Sequence, residues 1–120
     1  MKILIADDSR AMRQVIAHML REAGFRGHQI LEAKDGVQGL EVVAADEPDL
    51  IISDWNMPEM TGIEFLQKLR ESGSETPFGF VTTEVSPAMR QLATQSGARF
   101  LIGKPFTSDD LHDALCDVID

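Results

Sequence analysis

Five short apolar runs punctuate the chain: Ile3-Leu4-Ile5-Ala6, Gln29-Ile30-Leu31, Leu50-Ile51-Ile52, Phe78-Gly79-Phe80-Val81 and Phe100-Leu101-Ile102. They are near-continuous rather than alternating, the pattern of parallel strands covered on both faces. Longer segments between them carry helical spacing. Met12, Val15, Ile16, Met19, Leu20 and Ala23 trace one face of a first helix, which Asp8 or Ser9 can cap and Gly24 can end. Asp35 precedes a second helix with Val37, Leu40, Val43 and Ala44, which must stop before Pro48. Thr61 precedes a third with Ile63, Phe65, Leu66 and Leu69, ending near Gly73. Ser86-Pro87 reads as cap and first-turn proline of a fourth with Met89, Leu92 and Ala93. Thr107 or Ser108, followed by Asp109 and Asp110, opens a fifth with Leu111, Leu115, Val118 and Ile119. We assign these stripes to the core.

Five strand–helix units predict an α/β fold, a doubly wound five-stranded parallel sheet with helices on both faces. At 120 residues the chain suits a single domain, residues 1–120, with neither linker nor internal repeat. Eleven Lys and Arg against 20 Asp and Glu give a net charge of −9. That balance opposes binding to nucleic acid or to anionic membranes and suits a divalent cation or a basic partner. No run approaches the roughly 18 apolar residues of a membrane span, and the amino terminus reaches acid too soon for a signal peptide. The lone Cys116 forms no intramolecular disulfide and reads as a small residue on a carboxyl-terminal helix. Together these features point to a cytoplasmic protein.

In such a sheet, ligands sit beyond the carboxyl ends of the strands, near the switch in strand order. Those ends are polar here: Asp7-Asp8, Ser53-Asp54, Val81-Thr82-Thr83-Glu84 and Gly103-Lys104-Pro105. In the flavodoxin-like order 2-1-3-4-5, Asp54 lies one strand from Asp7 and Asp8 and one from Thr82. Lys104 starts two strands away, roughly 10 Å, a gap that a lysine stem can largely cover. Two carboxylates about 4 Å apart repel by roughly 4 kcal/mol at an effective dielectric near 20. Three acids and one lysine therefore leave a charge deficit that fits one dication, and oxygen ligands favour Mg²⁺ over zinc. A carboxylate so placed can attack phosphorus, forming an acyl phosphate on Asp54, with Lys104 and the hydroxyl of Thr82 facing the phosphoryl oxygens.

With Asp54-Trp55-Asn56-Met57-Pro58-Glu59-Met60-Thr61-Gly62 and Lys104-Pro105-Phe106 added to these groups, the whole chain resembles the receiver domains of two-component response regulators, closest to the stand-alone chemotaxis type. The resemblance implies that Asp54 is the phosphoacceptor and that Asp8, Asp54 and the carbonyl of Asn56 hold Mg²⁺, with Asp7 acting through water. It implies that Lys104 contacts the phosphoryl group, Thr82 is the switch hydroxyl and Pro105 follows a cis peptide bond. The phosphodonor is then a histidine kinase or phosphotransfer protein, and the output is binding to a downstream effector protein. Asn56 and Glu84 fall where this family tunes dephosphorylation and imply a short-lived phosphoryl group. One position departs: Leu101 stands where many receivers carry the switch tyrosine or phenylalanine, and Phe100 is expected to pack elsewhere in the core. Trp55, the single tryptophan, is expected to cover or report on the site.

Two other readings compete. A receiver-shaped binding module acting without phosphorylation is compatible with Leu101 but leaves the acids, threonine and lysine without a task. A haloacid-dehalogenase-type phosphatase would carry its nucleophile in Asp-x-Asp after the first strand, whereas here the candidate follows the third and position 56 is Asn.

Overall fold

The computed structural model describes residues 1–118. Strands β1 (Lys2–Ala6), β2 (Gln29–Ala33), β3 (Leu50–Asp54), β4 (Phe78–Thr82) and β5 (Phe100–Gly103) alternate with helices α1 (Arg10–Glu22), α2 (Gly36–Asp46), α3 (Gly62–Glu71), α4 (Pro87–Gln95) and α5 (Ser108–Leu115). The strands are parallel, in the order β2-β1-β3-β4-β5. Strands β3 and β4 are buried throughout, which explains their unbroken apolar runs.

The sheet separates two apolar layers. One joins Leu4, Ile51, Phe78 and Phe80 to Phe65, Leu66 and Leu69 of α3 and to Leu101. The other joins Ile3, Ile5 and Ile52 to Ile16 and Leu20 of α1 and to Leu111 and Leu115 of α5. Phe100 packs on this second layer, over Gly79, where any Cβ would overlap its ring. No helix among the described residues is long and apolar enough to cross a membrane.

Each helix begins on a residue whose side chain accepts a backbone N–H. Ser9, not Asp8, caps α1, and Asp35, Thr61, Ser86 and Thr107 cap the others. Thr61 and Glu64 form a reciprocal capping box, and that pairing holds the exposed Glu64 carboxyl below its ordinary range. We expect Thr61→Ala to lower stability by about 1 kcal/mol, measured by denaturant unfolding.

Three expectations are corrected. Val15, Val37 and Leu92 are about 40% exposed rather than core (42%, 43% and 39%), and Ala44 is exposed too, because the apolar stripes are wider than the arcs that face the sheet. Val15 instead lines an apolar groove with Met12, Met19, Pro105 and Phe106. Helix α5 ends at Leu115, and Cys116 to Val118 form a turn, with Cys116 exposed just past the helix. Asp113 and Asp117 put negative charge at this carboxyl end, which opposes continuation. Ile119 lies outside the described residues.

Candidate functional site

Parallel register brings the polar strand ends to one edge. Ala6 pairs with Ser53, Asp54 with Val81 and Thr82 with Gly103. Asp7 and Asp8 therefore follow β1 beside the end of β3, and Lys104 follows β5. Carboxylate oxygens of Asp7, Asp8 and Asp54 lie within 4.8 Å of one another. Lys104 bridges two of them, its Nζ lying 3.0 Å from Asp7 Oδ2 and 3.5 Å from Asp54 Oδ2. The stem does span the two-strand gap. It starts from a fixed backbone, because the Lys104 N–H donates to the Thr82 carbonyl at 2.7 Å. The following bond to Pro105 is cis.

Asp7 is nearly sealed from solvent, with 1% exposure. Its Oδ1 accepts the Ser9 N–H at 2.9 Å, so the residue that caps α1 also orients this acid. Asp8 is exposed, and its carboxylate forms the open side of the cluster. Asp54 is 8% exposed, and its Oδ1 accepts the N–H of Trp55 at 2.8 Å. Burial raises the Asp54 carboxyl above its ordinary range, Lys104 opposes that rise, and Asp7 adds to it. Backbone N–H groups of Trp55 and Asn56 favour the charged form.

The loop after β3 is held close by Gly62. Its N–H donates to the Trp55 carbonyl at 2.8 Å, and a Cβ at this position would collide with the Asp54 carbonyl oxygen. Glu59 in the same loop adopts a left-handed backbone, with φ of 67°. Trp55 is half-buried and packs on Phe80, with ring centroids 4.8 Å apart, so it stands next to Asp54 without sealing it.

Thr82 is fully buried, and its Oγ1 accepts the Glu84 N–H at 3.3 Å. It sits one residue beyond the β4 partner of Asp54. Asn56 and Glu84 are exposed on the loops that follow β3 and β4. Leu101 is buried against the same layer as Phe80. Thus Asp7, Asp8, Asp54 and Lys104 gather at one edge, Thr82, Asn56 and Glu84 lie at or just beyond the ends of β3 and β4, and Leu101 sits inside β5, paired with Phe80 two residues before Thr82. Sequence reasoning missed Arg13, whose Nη1 donates to the Asp7 carbonyl at 2.6 Å and whose Nε donates to Glu32 at 2.9 Å. An arginine on the sheet-facing side of α1, one helical turn after the cap, was the available signal.

Three carboxylates against one ammonium leave a formal deficit of two charges, and every side-chain donor is a hard oxygen. The residues therefore fit a small divalent cation.

This doubly wound sheet, with acids and a lysine gathered at its switch edge, is the framework of a response regulator receiver domain, and the chain belongs to that family, whose profile matches residues 3–116. Within it the chain is of the CheY type. It is similar to chemotaxis protein CheY-3 of Vibrio cholerae serotype O1, at 38% identity over 117 residues, covering 96% of this chain and 88% of the relative. The chemotaxis protein CheY homolog of Campylobacter jejuni is 38% identical over 122 residues, covering 99% and 92%. Among solved structures, chemotaxis response regulator CheY4 of Vibrio cholerae superposes with a TM-score of 0.85 at 38% identity, covering 98% of each chain.

Proposed function

We propose that Asp54 accepts a phosphoryl group from a phosphohistidine on a histidine kinase or phosphotransfer protein. The reaction depends on Mg²⁺, and the modified protein changes its affinity for a downstream effector protein in a cytoplasmic phosphorelay of the chemotaxis kind. One observation carries this reading: Lys104 lies within 3.5 Å of two of three converging carboxylates, one of which is Asp54. The residues suited to hold the ion are Asp8, Asp54 and the Asn56 carbonyl, with Asp7 acting through water. When bound, Mg²⁺ would neutralise charge on the transferring oxygens.

The chain's own groups do the rest. A carboxylate oxygen of Asp54 forms the new bond to phosphorus as the donor's phosphorus–nitrogen bond breaks, and the histidine leaves with that electron pair. Lys104 offers an ammonium to the incoming phosphoryl oxygens. The Thr82 hydroxyl, whose oxygen accepts the Glu84 N–H, turns inward to donate its own O–H to a phosphoryl oxygen, and Leu101 fills the space it vacates. Asn56 and Glu84 stand on the exposed side, where attacking water arrives, and set a short lifetime for the acyl phosphate. The chain catalyses only its own phosphorylation and dephosphorylation.

The test is incubation with a small acyl or amido phosphate, followed by intact mass, peptide mapping and Trp55 fluorescence. We expect one added phosphoryl group on Asp54 and a fluorescence change that requires both donor and Mg²⁺. An adduct on another side chain, or none, would overturn the assignment.

A further inference from the structure

The Asp7 carbonyl belongs to the peptide that links Asp7 to Asp8, so whatever grips it also sets the direction in which Asp8 leaves the strand. Asp7 is fixed from other sides already: its N–H donates to Ala33 at 3.0 Å, Oδ1 accepts from Ser9 and Oδ2 from Lys104. Asp8 is exposed and contributes the third carboxylate of the cluster. The one side chain among the described residues that donates to this linking peptide is Arg13.

Arg13 is itself held. Its side chain is 14% exposed, its Nε is 2.9 Å from Glu32 Oε1 on β2, and its backbone is in α1. The guanidinium therefore clamps the edge strand, the first helix and the Asp7–Asp8 peptide together, with two donors in a fixed fork. We propose that Arg13 is a positioning residue: by anchoring the Asp7–Asp8 peptide from Glu32, it sets where the Asp8 carboxylate meets a bound divalent cation. The inference rests on the reading of the acid cluster given above. Residues that orient a metal ligand typically contribute about ten- to a hundredfold in affinity.

Charge and positioning predict opposite signs, which makes the test decisive. Arg13 is a cation near a cation site, so by electrostatics alone Arg13→Gln should bind Mg²⁺ more tightly. As a positioning residue, its loss should weaken binding about tenfold. Isothermal titration of the full chain with Mg²⁺ reads this directly, without phosphorylation. Arg13→Lys keeps the charge and loses the fork, so it should also weaken binding. Glu32→Gln loosens the anchor and should give a smaller loss. Circular dichroism and thermal melting check that each variant folds, and if Arg13→Gln does not, Arg13→Lys, which leaves the charge unchanged, still decides.

Wild-type or tighter Mg²⁺ binding in the folded variants would overturn the proposal. Phosphorylation of wild-type Asp54 in a parallel assay separates the two readings. If wild type is modified on Asp54 while the variants bind Mg²⁺ normally, only the role of Arg13 fails. If wild type is not modified, the functional reading fails, and the titration still decides whether Arg13 positions a metal ligand.

Discussion

Asp54→Asn is expected to abolish phosphorylation and, in the absence of metal, to make the protein more stable. The first effect follows from chemistry, since an amide is not a nucleophile that can form an acyl phosphate. The second follows from burial. The Asp54 carboxyl is raised above its ordinary value chiefly by desolvation, with Asp7 contributing and Lys104 opposing. A buried acid with a raised pKa favours folding in its protonated form, and that contribution disappears as pH rises through the folded value. At neutral pH the ionised carboxylate is thus a liability that asparagine removes. Melting in chelator at pH 7 should show Tm a few degrees higher in the variant, with the gap closing as pH falls through the carboxylate range. Mg²⁺ should stabilise wild type and do little for the variant. A variant that melts below wild type at pH 7, or one still phosphorylated at position 54, would contradict the arrangement.

Lys104→Met has the next largest effect, and it separates binding from chemistry. The Lys104 ammonium lies 3.0 Å from Asp7 and 3.5 Å from Asp54, and the three side chains are 12%, 2% and 11% exposed. Removing one partner of a buried ion pair leaves uncompensated charge and costs about 3 kcal/mol. The metal-free variant should therefore unfold at lower denaturant. With the competing cation gone, Mg²⁺ should bind at least about tenfold more tightly. Phosphorylation at saturating Mg²⁺ should nevertheless fall by roughly a hundredfold, because the donor aimed at the transferring oxygens is lost. Tighter metal binding with slower transfer is the signature. Metal binding and transfer weakened together would instead show that Lys104 mainly holds the acids in place for the cation.

Much of this was legible in the sequence because the governing interactions are local or periodic. Five near-continuous apolar runs, weakest at β2, marked the strands, and polar residues after β1, β3, β4 and β5 marked the edge where the site lies. Ser86-Pro87 and Asp35 marked helix starts through side chains that satisfy nearby N–H groups. Asp7, Asp8, Asp54 and Lys104 could be expected to converge once the strand order was supposed, because spacing between strands is fixed by backbone hydrogen bonding. What stayed hidden depends on tertiary choices. Arg13 reads as one more polar residue on α1 until Glu32 on β2 is placed beside it. Val15, Val37 and Leu92 obey helical periodicity yet face outward, since periodicity does not say how wide the buried arc is. The early end of α5 reflects acids near its carboxyl terminus competing with the apolar stripe that pointed onward to Val118.

The strand order has a further consequence for how the molecule comes into being. Strands β2, β1 and β3 are neighbours in the sheet and are also the first three in the chain, whereas β5 is both last and at the far edge. A nascent polypeptide emerging from its amino terminus therefore brings Asp7, Asp8 and Asp54 out before Lys104 exists. The three acids can therefore be drawn together without water, protons or free cations between them only once Lys104 has been made and the last strand can close.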